Sequence, residues 1–230
     1  MAQDAAATLT SGELAPSELV VLNGQRFTTA QVLLGATGDT QVELLTSEAK
    51  VSATQLGQAV LAVALLANDR AGTIRLDPRQ KKTLLGLSSE DTLYADPDTN
   101  AVDWPASSLE ARVCSLAEQL YNDKGRHEVV EIVAELLPGS PDPWVSAVDL
   151  VKAGLGARGL LETAEVADLK ILRRWVLPES TRALAAKQSV SPVEQLVADC
   201  ERDRPEVWNR LVDQIKQAVT RRTERDASAT

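Results

Sequence analysis

The sequence predicts a mainly α-helical protein with short β-hairpins. Hydrophobic residues make up 44% of the chain but aromatic residues only 3%, and the abundant Ala and Leu favour helices whereas aromatic residues favour strands. Apolar residues recur at helical spacing behind prolines and capping residues. The pattern of residues 143–177 indicates a helix, a glycine-rich turn and a basic hairpin. This order of elements predicts a winged-helix-like unit attached to a helical core.

Length, charge and cysteine content restrict the class of protein. A chain of 230 residues can bury a core without disulfides or metal. The net charge of −9 makes nucleic acid a poor partner, because phosphate binding needs a basic surface. The two cysteines, Cys114 and Cys200, occupy core-facing helical positions and form no CxxC motif, which fits a reducing compartment.

Targeting and membrane-spanning patterns are not evident in the sequence. The first residues lack the basic and apolar regions of a secretory signal peptide. The longest apolar run, residues 59–67, is about half the ~20 residues that a membrane span requires. We therefore expect a cytoplasmic protein whose membrane contact, if it has one, is peripheral.

The first forty-five residues predict a tail followed by short elements. Residues 1–17 are small and polar, and we expect them to be disordered. The next segments are predicted, in order, as a strand and turn over 18–27, a helical turn over 32–34 capped by Thr28 or Thr29, a turn over 35–40 and a strand over 41–45.

A buried central helix is predicted over residues 51–67, because this segment is apolar on nearly every side. Gly57 within it costs about 1 kcal/mol relative to Ala, so we expect another helix to approach closely there. After it we predict a short strand over 74–76, a short helix over 78–87 and an acidic, turn-rich loop over 88–105.

Five further helices are predicted from capping residues. Ser107 and Glu110 have the spacing of a capping box, as do Ser191 and Glu194. The first of these helices buries Leu109, Val113, Leu116 and Leu120. A second helix is predicted over 127–137, and a third from Asp142–Pro143 to the glycines 154, 156 and 159. A fourth begins at Ser191 and buries Val193, Leu196, Val197 and Cys200. The last extends from Pro205 to about 222.

Basic residues beside a tryptophan on the hairpin predict an anion site, because arginine side chains bind phosphate in a forked geometry. The candidate residues are Arg158, Lys170, Arg173, Arg174 and Trp175. Strand alternation places Lys170 and Arg174 on one face and Arg173 and Trp175 on the other. The alternative, which is the commoner arrangement on a solvated hairpin, pairs these cations with Glu162, Glu165 and Asp168.

The remaining chemistry-bearing residues predict no enzyme, cofactor or metal site. His127 is the only histidine, and its position at a helix start is more often structural or exposed than catalytic. The glycines at 154, 156 and 159 have the GxGxxG spacing of a dinucleotide-binding motif, but they follow a predicted helix instead of a strand. An acidic group, Asp91, Asp96, Asp98 and Asp103, lacks the glycine and glutamate of a calcium loop and predicts a solvated turn.

Two segments resemble the Golgi phosphoprotein 3 family, called GPP34-like in bacteria. The first is the apolar helix over 56–66, followed by the glycine and short strand over 72–77. The second, residues 150–162, is similar to the family's step from helix to hairpin. The resemblance extends loosely over 28–222 and implies a single globular domain over 18–225, with 226–230 as a tail.

The resemblance implies a non-enzymatic peripheral adaptor that recognises anionic, phosphoinositide-like lipid headgroups or a protein partner. The family's lipid pocket uses a tryptophan and several arginines. One family arginine precedes the buried helix, and the corresponding position in this chain is approximately Leu56. The family's paired arginines lie on the helix before the hairpin, where this chain has only Lys152.

A winged-helix-like regulator or scaffold is the alternative function. The helix over 144–155 would then act together with the hairpin over 160–177. We expect this helix to expose chiefly Ser146, Asp149 and Lys152, which are fewer groups than DNA reading requires. This alternative would therefore act through protein–protein contacts.

Overall fold

The computed structural model describes residues 14–28, 40–47, 49–82, 89–98, 100–166 and 169–228. These residues form eight α-helices and three two-stranded antiparallel sheets. The predicted fold class, mainly α with short β-hairpins, is confirmed.

Three strand pairs alternate with the helices along the chain. The helices are α1 (Pro16–Leu22), α2 (Ala53–Ala71), α3 (Leu109–Lys124), α4 (Val129–Leu136), α5 (Pro143–Ala157), α6 (Glu179–Lys187), α7 (Ser191–Asp203) and α8 (Pro205–Ser228). The sheets pair β1 (Gln41–Glu43) with β2 (Lys50–Ser52), β3 (Ile74–Lys82) with β4 (Ser89–Pro97), and β5 (Glu162–Val166) with β6 (Leu169–Val176).

Helix α2 is the centre of the core. Every residue from 60 to 67 is at most 2% exposed, and α1, α3, α5, α7 and α8 all contact this helix. Ser52 caps its start by accepting a hydrogen bond from the backbone N–H of Gln55, and the left-handed Gly72 ends it. The predicted buried central helix is confirmed. Neither α2 nor any other described helix is long and apolar enough to span a membrane.

Two glycines allow the helices to pack closely. A Cβ at Gly57 would lie 2.8 Å from the carbonyl oxygen of Trp144, so the predicted close approach of a second helix, α5, is confirmed. A Cβ at Gly154 would collide with the carbonyl oxygen of Ser107. Because α5 continues to Ala157, Gly154 does not end it as predicted, and the left-handed Gly159 follows the helix instead (φ 70°).

Several predicted elements are wrong. Residues 18–22 form α1, not a strand, because this apolar run is buried throughout and begins with Pro16 at its first turn. Residues 14–17 are buried and belong to the folded part. The predicted helix over 78–87 is wrong where the structure describes it, since 78–82 continue β3, and α8 reaches Ser228 within the predicted C-terminal tail.

Strand β4 replaces much of the predicted acidic loop over 88–105. Ile74 and Leu76 on β3, and Leu93 and Ala95 on β4, are at most 2% exposed, and the register puts Leu76 opposite Ala95. The alternate apolar residues pack on the core, while Arg75, Tyr94 and Asp96 alternate with them on the opposite face of the hairpin. Helix α6, which the sequence did not predict, follows the last hairpin.

Two predicted capping boxes are also wrong. Ser108, not Ser107, caps α3 by accepting a hydrogen bond from Ala111 N at 3.2 Å. Helix α7 begins after Val190 without a side-chain cap, and Glu194 is instead bound by Arg26 at 2.7 Å. Asp142 caps α5 as predicted. The elements predicted over 1–13, 29–39 and 83–88 lie outside the described residues.

The carboxylate of Glu110 joins α1 to α3 inside the core. Its two oxygens accept hydrogen bonds from Ser17 N at 2.7 Å and from Ser17 Oγ at 2.8 Å. Burial raises the pKa of Glu110 to about 7; the charge of Glu18 adds to the rise, and the Ser17 hydrogen bonds oppose it. The folded protein thus holds a proton that the unfolded chain releases at lower pH.

We expect Glu110→Gln to make folding stability less dependent on pH. The folded-state pKa of about 7 lies above the ordinary 4.5, so the contribution of this group is full below pH 4.5 and is lost as the pH rises through 7. The loss amounts to at most about 3 kcal/mol near pH 8. Urea unfolding near pH 5.5 and near pH 8 measures it.

The matched control for this prediction is Glu135→Gln, at an exposed carboxylate on α4. This control should keep the pH dependence of the natural protein. Equal pH dependence in the natural protein and in Glu110→Gln would contradict the prediction.

Candidate functional site

A pocket of about 390 Å³ lies between the β1–β2 turn, α5, β6 and the start of α6. This volume falls in the range of small-molecule sites, roughly 300–1,000 Å³. Its described lining contains three cations, Lys152, Arg174 and Arg182, against one carboxylate, Glu43, with Trp175 beside them. The pocket is therefore locally positive in an acidic chain.

Lys152 is the buried cation of the pocket. It lies four residues after Val148 and three before Leu155, both of which are fully buried, so helical geometry places it on the same inward face. Its Nζ lies 3.8 Å from Asp149 Oδ1. Burial lowers the pKa of Lys152, and the charges of Asp149 and Glu43 oppose this effect.

The expectation that α5 exposes Ser146 and Lys152 is wrong. Each residue is 8% exposed, because the side of α5 that packs on the core contains these two polar residues as well as the apolar ones. Asp149 retains a largely exposed side chain, at 53%. The helix therefore presents little to a partner on this face.

The two arginines of the pocket are nearer to solvent. Arg174 is exposed and forms no ion pair with another described residue. Arg182 donates a long hydrogen bond to the carbonyl oxygen of Thr46, at 3.5 Å, and pairs with Glu179 at 3.4 Å. Both guanidinium groups remain available to a ligand at the pocket mouth.

Trp175 is a half-buried wall of the pocket. A Cβ at Gly156 would lie 2.6 Å from its Cζ3 atom, so the indole ring rests directly on the backbone of α5. Four consecutive residues, 174–177, line the pocket, which places it along the edge of β6. This explains why Arg174 and Trp175 share the pocket although strand alternation directs them apart.

The structure brings together some of the sequence-predicted site residues. Arg174 and Trp175 line the pocket, whereas Arg158 is bound by the buried carboxylate of Glu18 and is not part of the described lining. The side chains of Lys170 and Arg173 lie outside the described part of the chain. The backbone register does place Arg173 opposite Glu165, as the ion-pair alternative expects.

A second polar cluster surrounds His127. Its Nε2 lies 2.8 Å from Asp96 Oδ1, and its ring packs against Tyr94 and Tyr121, with ring centroids 5.1 and 4.9 Å away. The buried Nδ1 has no hydrogen-bond partner among the described residues. Asp96 also binds Arg79, so this carboxylate connects the histidine and its two aromatic neighbours to a guanidinium group.

The prediction that the acidic residues form a solvated turn is wrong for Asp91 and Asp96, whereas Asp98 and Asp103 are exposed and lie outside the strands. Asp91 and Asp96 lie on β4, where Arg210 binds Asp91 and Asp96 is bound as described above. Within the described ranges, no group of three or more His, Cys, Asp or Glu side chains could hold a metal ion.

No protein-family model, no curated protein and no solved structure matches this chain. The resemblance to the Golgi phosphoprotein 3 family therefore remains a prediction from the segments over 56–77 and 150–162.

We expect Gly156→Ala to displace the Trp175 ring. The new methyl group would overlap the ring, and overpacking of this kind costs about 1–3 kcal/mol, against about 1 kcal/mol gained from the higher helix propensity of Ala. Iodide should then quench tryptophan fluorescence more strongly than in the natural protein.

The exposed Ala153 on the same helix provides the control, since Ala153→Gly changes helix propensity and adds no atom that could displace the ring. A Gly156→Ala protein that is more stable than the natural one, with unchanged quenching, would show that the ring does not rest on α5 as described.

Proposed function

We propose that this protein is a non-enzymatic peripheral adaptor that binds anionic lipid headgroups of the phosphoinositide type. The proposal depends on one observation, the convergence of Lys152, Arg174 and Arg182 beside Trp175 in a single pocket. In a chain with a net charge of −9, we expect three cations that line one pocket to bind an anionic ligand.

The chemistry of the three cations suits a phosphate group. Arginine presents parallel N–H donors that match two phosphate oxygens, and lysine adds a point charge. Charges beyond about 8 Å are largely screened at physiological salt, so the acidic remainder of the surface cancels little of this local field. Glu43 is the opposing charge within the pocket.

The rim of the pocket supports a lipid as the source of the phosphate. Thr46 and Ser47 of the β1–β2 turn are exposed, Leu45 is half-buried beside them, and Trp175 is half-buried on the other wall. Tryptophan is favoured where an apolar body and a polar edge meet, as at a membrane interface. The resemblance to the Golgi phosphoprotein 3 family points to the same class of ligand.

The burial of Ser146 and Lys152 weighs against the winged-helix alternative. A helix that reads DNA needs several exposed polar side chains, and of the three groups expected on this face only Asp149 is exposed. A protein partner remains the outcome to infer if lipid vesicles do not bind.

We expect Arg174→Gln combined with Arg182→Gln to lower affinity for phosphoinositide vesicles at least about tenfold. Hydrogen bonds to charged groups contribute about 1.5–3 kcal/mol each, and about 1.4 kcal/mol corresponds to tenfold in affinity. Co-sedimentation with phosphatidylcholine vesicles containing phosphatidylinositol 4-phosphate, at low salt, measures the effect.

Arg202→Gln is the control variant, because Arg202 is an exposed arginine on α7 that does not line the pocket. Phosphatidylserine vesicles of equal charge separate headgroup recognition from general attraction. Absence of binding to every anionic vesicle, or equal losses in the double variant and the control, would refute the proposal.

We expect Glu43→Gln to strengthen vesicle binding severalfold. The carboxylate of Glu43 lines the pocket with the three cations, so its removal eliminates the repulsion of a bound phosphate, which is worth about 1 kcal/mol near a protein surface. The same assay measures this gain, with the exposed Glu135→Gln as control. Weaker binding by Glu43→Gln would show that the phosphate does not enter this pocket.

A further inference from the structure

Lys152 is unusual because it is buried without a close partner. Its side chain is 10% exposed, and the carboxylate of Asp149 is 3.8 Å from Nζ. Lys81, whose side chain is 53% exposed, forms a close ion pair by contrast, with Nζ 2.6 Å from Oε1 of the buried Glu128. A buried ammonium normally requires a short, well-formed ion pair to offset its loss of hydration, and Lys152 has only a long one.

The pKa values of the two lysines shift in opposite directions for the same reason. Burial lowers the pKa of Lys152, whereas the hydrogen bond that Lys81 donates to Glu128 raises the pKa of Lys81. An ordinary lysine amine is neutral in roughly one molecule in a thousand near pH 7.5, and each unit by which its pKa falls makes the neutral form about tenfold commoner. Lys152 is therefore the better nucleophile of the two.

The pocket gives this amine both access and a means of orienting a ligand. Lys152 lines a cavity of about 390 Å³ together with Arg174, Arg182 and the indole of Trp175. A small molecule with an anionic group can bind the guanidinium groups and extend its other end toward the amine. A desolvated lysine in such a site is the usual nucleophile toward carbonyl compounds.

We propose that Lys152 forms a Schiff base with a small aldehyde or ketone that carries a phosphate or carboxylate group. The neutral amine adds to the carbonyl carbon, and the resulting carbinolamine loses water. The oxygen of that water comes from the carbonyl group, and both of its hydrogens come from the amine. Protonation of the imine then restores a positive charge near Asp149. The anionic half of this inference rests on the proposed anion affinity of the pocket, whereas the reactivity of the amine does not.

The test compares pyridoxal 5′-phosphate with pyridoxal, which lacks the phosphate. The full chain is incubated near pH 7.5 with a limiting amount of either aldehyde, the imine is reduced with borohydride, and peptide mass spectrometry locates the adduct. With pyridoxal 5′-phosphate we expect Lys152 to be labelled at least about tenfold faster than the exposed Lys50, Lys187 and Lys216. Pyridoxal should label Lys152 more slowly, and unfolding in urea should abolish the preference.

Lys152→Arg keeps the positive charge but lacks a reactive amine, so it should lose the adduct. If this variant does not fold, Arg174→Gln combined with Arg182→Gln serves instead, and its labelling by pyridoxal 5′-phosphate should fall toward the rate with pyridoxal. Labelling in proportion to exposure, or equal labelling by the two aldehydes, would overturn the inference. Selective labelling without any vesicle binding would uphold it and refute the proposed lipid function.

Discussion

The structure depends on the burial of the middle of α2, residues 60–67, on every side. A helical segment without a polar face must be enclosed by other elements, and five helices contact this one. The missing side chain of Gly57 then determines how near α5 can lie. Since α5 carries Lys152 and supports Trp175, the geometry of the basic pocket follows from the packing of the core and not from the hairpin alone.

Buried charges occur in two different environments in this chain. Glu18 and Arg158 neutralise each other, and Glu110 is held by a hydroxyl and a backbone N–H; these groups fasten α1 to α3 and to the end of α5. Lys152 lies at an opening in the same core without an equally close partner. The anionic ligand proposed above would supply the close partner that Lys152 lacks among the described residues.

Local periodicity was enough to predict much of the fold and less of the pocket. Helices α2 and α8 stand out because their apolar residues repeat at helical spacing over many turns. Strand β4 was missed because its apolar residues Leu93 and Ala95 are flanked by acidic residues and a proline, which are typical of loops. From the sequence, Lys152 is expected to be exposed because it is charged, although its spacing from Val148 places it on the inward face of α5. No local pattern in the sequence indicates that the β1–β2 turn forms a wall of the pocket, because the other residues that line the pocket lie more than a hundred positions away.

The walls of the pocket come from parts of the chain that are far apart in sequence, near residues 43–47, 152 and 174–182. Such a cavity exists only when the entire fold is assembled, because no fragment contains all of its walls. Whatever occupies it selects the native state over the unfolded one, and a ligand at a hundred times its dissociation constant adds about 2.7 kcal/mol of apparent stability. Occupancy would thus set the thermal resistance and cellular lifetime of the protein as well as its location.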